Sequence, residues 1–231
     1  MEQGADMQQR AIIFDMDGTI VDTNALWDTA TAQLMVNRGV RLSAEEQAIL
    51  SERIHGLATH EACRIIKEMG NLQVPLEELI REKRSIAHSL YGAGNIPLTF
   101  IPGFPEFHAQ VAAQLIKTGV ATNADEDILQ KTNLHMGLSK FFGEHLYSMA
   151  RVNNRCKPHP DIYLHVADKL ETDPQYCIAV EDSAHGVAAA KAAGMFCIGI
   201  MTSTDRSQVK KADLIVESYQ EIKLDELWSP R

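Results

Sequence analysis

The 231-residue sequence is poor in cysteine, in cationic charge and in long apolar runs. Its four cysteines, Cys63, Cys156, Cys177 and Cys197, form no CxxC pair and fall at no metal-site spacing. That excludes a disulfide scaffold and fits free thiols in a reducing cytosol, so the expected localisation is cytoplasmic. Lys and Arg number 22 against 31 Asp and Glu, a formal net charge of −9. Such a balance argues against non-specific binding to nucleic acid or to an anionic membrane. It leaves room for an anionic small molecule, because the field inside a pocket can oppose the global one. No segment reaches the roughly 18 uninterrupted apolar residues of a membrane span. Residues 1–10 are polar, lack the apolar core of a signal peptide, and read as a disordered tail. Internal repeats and low-complexity tracts are also missing. What is present is an ordinary globular composition, 45% hydrophobic and 23% charged, in a length that suits one large domain or a core plus a smaller insert.

The pattern of residues divides the chain. Ala11 to Phe14 is a short continuous apolar run, as a buried parallel strand would be. Residues 21–98 then read as helical throughout. Leu26, Ala30, Leu34 and Met35 recur on one face, Ser43 and Glu46 make a capping box, and Thr59–Lys67 and Leu76–Tyr91 continue the series, with Pro75 suited to the start of the second. From residue 99 strands and helices alternate. Strands are expected at Ile116–Ala121, Glu144–Ser148, Cys177–Val180, Phe196–Met201 and Asp213–Val216. Helices are expected from Pro102 to Gln114, over Glu126–Leu134 and Pro160–Leu170, and from Ser183 to Ala193, stopped by Gly194. Alternation with short links predicts an α/β fold, a doubly wound, mostly parallel sheet with right-handed crossovers. The helical block interrupts it as an inserted domain. The expected division is a core of residues 10–22 and 99–231 and a helical cap of residues 23–98.

Chemistry-bearing residues sit where these strands end, which is where open α/β sheets bind ligands. Asp15 and Asp17 follow the first strand directly. Two residues apart on an extended backbone, their side chains start on the same side, and carboxylates that close repel unless a cation or proton separates them. Gly18 lets the chain turn away. Taken alone this is also how an Asp-rich turn looks. Thr122 and Asn123 close a later strand. A hydroxyl and an amide there can cradle phosphate oxygens, although such residues also serve as caps. Lys157 lies between Cys156 and the turn Pro158-His159-Pro160, which restricts the backbone. Glu181 and Asp182 follow the strand Cys177–Val180, and Asp182 or Ser183 would equally cap the next helix.

Taken together the segments carry more. Asp15-Met16-Asp17-Gly18-Thr19 resembles motif I (DxDGT) of the haloacid dehalogenase superfamily of phosphotransferases. Thr122-Asn123 is similar to its motif II, KPHPDIY from Lys157 to its motif III, and VEDSAHG from Val180 to its motif IV, all in order. The helical insert resembles in position the C1 cap of the β-phosphoglucomutase-like subgroup. The resemblance implies a Mg²⁺-dependent phosphatase acting on a small phosphorylated metabolite such as a sugar phosphate. Asp15 would be the nucleophile and Asp17 the general acid/base. Mg²⁺ would be held by Asp15, Asp17, Asp182 and Glu181, and phosphate by Thr122, Asn123 and Lys157. Thr23, Trp27, His55, Gly56, His60 and Lys83 are the cap residues expected to meet substrate. The presence of Asp17 disfavours a 2-haloacid dehalogenase, which needs no leaving-group acid. The absence of any Lys before Lys67 disfavours a phosphonatase, which needs a cap Lys for a Schiff base. A phosphosugar mutase shares every core motif, but Thr59 stands where its cap Arg would be. A phosphorylatable receiver-type switch is about half this length and has no cap. Oligomeric state is not legible in the sequence.

Overall fold

The structure, a computed structural model, describes residues 10–93, 96–202 and 206–228; the tail expected over residues 1–10 lies outside them except for Arg10. In chain order, β1 (Ala11–Phe14) and the two-residue β2 (Val21–Asp22) lead into α1 (Asn24–Asn37), α2 (Ala44–Ile54), α3 (Thr59–Met69) and α4 (Leu76–Ala93). The chain returns through β3 (Thr99–Phe100) to α5 (Phe104–Ala113), β4 (Lys117–Thr122), α6 (Glu126–Met136), the single-turn α7 (Ser139–Phe142) and β5 (Leu146–Ser148). It ends with α8 (Asp161–Lys169), β6 (Cys177–Glu181), α9 (Ala184–Ala192), β7 (Phe196–Ile200) and β8 (Leu214–Val216).

Six strands form one sheet in the order β5-β4-β1-β6-β7-β8, and every pairing in it is parallel. β1 is central, with Phe14 opposite Val120 on one side and Val180 on the other. Its side chains alternate between two cores. Ile12 and Phe14 join the layer containing Phe104, Phe107, Phe142 and Tyr219. Ala11 and Ile13 face the layer containing Tyr163, Val166, Val187 and Ala190. Both faces are covered, so β1 is apolar at every position rather than at alternate ones. The order reverses around β1: β4 and β6 lie on either side of it and come later in the chain. The carboxyl ends of these three strands therefore open together, where a doubly wound sheet binds its ligand.

The four insert helices pack their apolar faces on one another, with Leu26, Ala30, Leu34 and Met35 of α1 meeting Leu79, Ile86 and Ala87 of α4 in one buried cluster. The capping box forms: the Ser43 side chain accepts from the Glu46 amide and the Glu46 carboxylate accepts from the Ser43 amide. Two features depart from the sequence expectation. Val21–Asp22 is not part of the helical block but pairs antiparallel with Thr99–Phe100, because both crossings between core and insert must lie side by side. Strands of two residues are too short to show a period. The other is α7, a single turn that carries Phe142 under the sheet.

Candidate active site

The site grows out of β1. Asp15 is the first residue past the strand, anchored by its amide on Val180 O at 3.0 Å. Its carboxylate Oδ1 meets the Lys157 ammonium at 2.5 Å. Lys157 is 1% exposed, and its Nζ also donates to Glu181 Oε1 at 2.6 Å and lies 5.0 Å from the Tyr163 ring centroid. Glu181 Oε1 further accepts from the Tyr163 hydroxyl at 2.6 Å, and Oε2 from Ser183 Oγ at 3.3 Å. Lys157 is therefore a positioned cation between two buried carboxylates. Burial works against its charge, yet Asp15 and Glu181 outweigh it and hold its pKa above the usual lysine value. Burial likewise drives the Asp15 carboxyl well above the ordinary carboxylate range. Lys157 opposes that rise, and Glu181, Asp182 and Asp17 add to it.

Asp17 is held differently. Its Oδ1 accepts from the Thr23 hydroxyl at 2.7 Å and from the Trp27 indole N–H at 3.1 Å. Burial raises its pKa, and these two donors partly restrain it. Gly18 has φ +79°, and a Cβ there would lie 1.9 Å from Asp182 Oδ2. Only glycine satisfies both demands. Asp182 also accepts from Thr19 at 3.3 Å and from Thr202 at 3.4 Å, and its Oδ2 lies 3.1 Å from His55 Nε2.

The second strand end supplies polar groups from β4. Thr122 Oγ1 accepts from the Ala124 amide at 2.9 Å, fixing the turn. Asn123 ties three segments together. Its Oδ1 accepts from the Lys157 backbone N–H at 2.9 Å, and its Nδ2 donates to the carbonyl of Gly56 in the insert at 3.0 Å. The Lys157–Pro158 peptide is cis.

The insert closes over this floor. Asp15, Asp17, Thr23, Trp27, His55, Gly56, Lys83, Thr122 and Asn123 line one cavity of about 90 Å³. A larger hollow of about 920 Å³ between α1 and α2 adjoins it through Asn24, Asp28, Ser51 and His55, and meets none of the strand-end acids. Gly56 has φ +69°, and a Cβ there would lie 2.4 Å from Cβ of Ser183, so glycine lets the insert approach the core. Lys83 is 3% exposed, with its Nζ 5.4 Å from the Trp27 ring centroid. Burial lowers its pKa, and no carboxylate pairs with it among the described residues. His60 does not line the cavity; it groups with Glu61 and Cys156 at the rim of the insert. Ser183, offered by the sequence as a helix cap, does cap α9, its Oγ accepting from the Gly186 amide at 3.1 Å. Two contributors carry no signal of their own in the sequence: the Tyr163 hydroxyl on Glu181, and the seam in which Arg84 clasps Asp125 through two hydrogen bonds while Thr59 donates to the same carboxylate at 3.1 Å.

One carboxylate oxygen from each of Asp15, Glu181 and Asp182 lies within 4.8 Å of the others. These three acids and Asp17 share one floor with a single lysine. The donors are all oxygen, with no thiol, which suits a hard divalent cation.

Comparison with known proteins places this arrangement. The family model of haloacid dehalogenase-like hydrolases matches residues 12–212. Hexitol phosphatase B of Escherichia coli (strain K12) is 32% identical over 187 residues, 80% of this chain and 80% of that protein. The fructose-1-phosphate phosphatase of the same organism is 28% identical over 189 residues, 82% of this chain and 95% of that one. The crystal structure of a β-phosphoglucomutase from Clostridium difficile shares the fold with a TM-score of 0.77, 28% identity and 95% coverage of both chains. The match extends over the six-stranded sheet up to β7, the helical insert and every strand-end residue described above. The chain therefore belongs to the haloacid dehalogenase-like hydrolase family.

Proposed function

We propose that this hydrolase releases inorganic phosphate from a small polyol or sugar monophosphate by way of a phosphorylated Asp15. The observation that carries the reading is the division of labour between two carboxylates on one turn. Asp15 is clamped by a buried ammonium, and Asp17 is held by a hydroxyl and an indole in a setting that raises its pKa. Asp15 supplies an oxygen that attacks phosphorus, and the ester P–O bond breaks. Asp17, protonated, gives its proton to the departing alkoxide. In the second half, water attacks the aspartyl phosphate, Asp17 takes the water's proton, and Asp15 is regenerated as phosphate leaves. Lys157, the Thr122 hydroxyl and the Asn123 turn would spread over the phosphoryl charge, which is where such reactions gain most of their rate. Hydrolases of this family are generally metal-dependent. Here Asp15, Asp182 and Asp17, with Glu181 beside them, would hold Mg²⁺, which would neutralise charge on the phosphoryl oxygens.

The insert favours release to water over transfer to a second sugar position. No arginine lines the cavity among the described residues. Thr59 and Arg84 are both spent on Asp125, so neither offers the bidentate grip a distal phosphate needs. Lys83, with no carboxylate ion-paired to it among the described residues, is left to meet substrate oxygens, while Trp27 and His55, whose ring nitrogens already face Asp17 and Asp182, line the cavity beside it. The cavity of about 90 Å³ is far below the roughly 300–1,000 Å³ of ligand pockets, so the insert must lift for substrate to enter and close for chemistry.

The test is a panel of phosphomonoesters assayed for phosphate release with Mg²⁺. It includes hexitol and hexose phosphates and β-glucose 1-phosphate with a trace of the 1,6-bisphosphate. Phosphate release that is highest on a polyol or sugar phosphate is expected. Rapid glucose 6-phosphate formation without phosphate release would make the protein a mutase instead.

A further inference from the structure

Outside the strand-end site, one cluster joins the insert to the core. His60 and Glu61 come from the first turn of α3, and Cys156 from the loop that carries Lys157. One ligand atom of each lies within 4.8 Å of the others. Cys156 is 5% exposed and packs with Ala58 and Met149 in a small apolar patch of its own at the seam. Glu61 adds a second observation: its Oε2 is buried with no well-formed hydrogen bond, and burial together with this carboxylate pushes the Cys156 thiol up to about 11. A buried carboxylate oxygen without a well-formed hydrogen bond is costly, and here a thiol and an imidazole nitrogen share the site with the carboxylate.

We propose that His60, Glu61 and Cys156 form a second metal site, selective for a borderline divalent cation such as Zn²⁺, that ties the insert to the Lys157 loop and inhibits the enzyme. The donor set is one nitrogen, one oxygen and one sulfur, which suits Zn²⁺ and not Mg²⁺. Tetrahedral Zn²⁺ with bonds of about 2.0–2.3 Å holds such atoms roughly 3.3–3.8 Å apart, a spacing that atoms within 4.8 Å of one another reach by small side-chain movements. Water completes the fourth position. Binding converts the thiol to a thiolate, and the proton released goes to solvent. The ion thereby gains a ligand from each side of the seam, and the insert cannot lift without giving one up. The inhibition rests on the phosphatase reading; the binding does not.

The test separates the two. Co²⁺ is titrated into the full-length protein in saturating Mg²⁺, and thiolate-to-cobalt charge transfer is followed in the near ultraviolet. A band that Zn²⁺ displaces at one equivalent per chain is expected. It should vanish in Cys156→Ser, and the affinity should fall about tenfold or more in His60→Ala, since even outer contacts of metal sites are worth 10–100-fold. His60 is half-buried and its replacement leaves the thiol in place, so the proposal stays testable if Cys156→Ser folds poorly. Absence of the band in the native protein, or an undiminished band in both variants, overturns the site. With binding established, Zn²⁺ is added to turnover assays in excess Mg²⁺. The concentration giving half inhibition should rise about tenfold or more in His60→Ala. Equal inhibition of native and variant enzyme would place the effect at the strand-end acids and overturn the clamp. A protein with no phosphatase activity but an intact band would fail the functional reading and keep the site.

Discussion

Lys157 is the group whose removal the structure makes most consequential. Replacing it with Met keeps much of the volume and deletes the cation shared by Asp15 and Glu181. Lys157 is 1% exposed and Glu181 is fully buried, so water does not reach the gap easily. Removing one partner of a buried ion pair costs about 3–5 kcal/mol. At about 2–4 °C per kcal/mol for a chain of this size, the metal-free variant should melt about 6–20 °C lower at pH 7. The sign with pH follows from Asp15. Its pKa is already raised by burial, with Lys157 the one influence on it that opposes the rise, and in the variant that restraint is gone. A carboxyl whose folded pKa exceeds its unfolded value favours the fold when protonated, and loses that advantage as pH rises through the folded pKa. The gap between variant and native protein should therefore narrow as pH falls from 7 towards 5. Saturating metal should narrow it too, by supplying positive charge to the same acids. Turnover should drop by about 10²–10³, and Lys157→Arg should also lose heavily because a planar fork does not replace a compact ammonium. The assay is thermal denaturation across pH with and without metal, beside phosphate release. A melting temperature within 2 °C (about 1 kcal/mol at most for this size) of native at pH 7, or a gap that is the same at pH 5, would refute the reasoning.

Chelation should abolish turnover and Mg²⁺ should restore it, whereas Ca²⁺, which takes more ligands at longer distances, should inhibit; full activity in excess chelator would count against the acid cluster as a metal site. In metal-free protein, burial disfavours charged His55, but Asp182, with Asp15 and Glu181, outweighs it and holds the imidazole at about 9. Its stabilisation should be complete below pH 6.5 and fade as pH rises towards 9. It should be at most about 3 kcal/mol by linkage, and His55→Gln should flatten that slope in denaturant titrations at several pH values. Gly18→Ala should weaken Mg²⁺ binding measured by calorimetry, because the new methyl would sit 1.9 Å from Asp182 Oδ2 on a backbone with φ +79°; unchanged affinity would show that Asp182 does not hold the ion.

Residues whose role is set by local backbone were legible in the sequence. β1 shows itself because both its faces are buried, the capping box of α2 because its two partners are three residues apart, and Asp15, Asp17 and Gly18 because one turn holds them. The order of the strands is different. That β4 and β6 flank β1, bringing Thr122, Asn123 and Glu181 against Asp15, follows from crossovers whose outcome no single segment encodes; the resemblance to a family implied that these residues share a site, and the order itself is seen only in the structure. What neither supplied are contacts between surfaces. Tyr163 reaches Glu181 because α8 lies beneath the sheet with that face inward. Arg84 meets Asp125 only because α4 is docked on the turn before α6. His60 and Gly56 are four residues apart, yet Gly56 faces Ser183 and the cavity while His60 turns to Cys156 at the rim. How a helix is rotated against a neighbour is decided by both surfaces at once, and the sequence of one of them does not contain it.

The central claim is that Asp15 carries the phosphoryl group between two half-reactions. Enzyme mixed with a ³²P-labelled sugar phosphate and Mg²⁺, quenched in acid within the first turnover and digested, should yield a labelled peptide containing Asp15. The label should be released by hydroxylamine, as an acyl phosphate is, and should be absent from Asp15→Asn, which should also be inactive. Phosphate release at native rate from Asp15→Asn, or a first turnover that passes all its label to free phosphate with none on the protein at any quench time, would contradict the account.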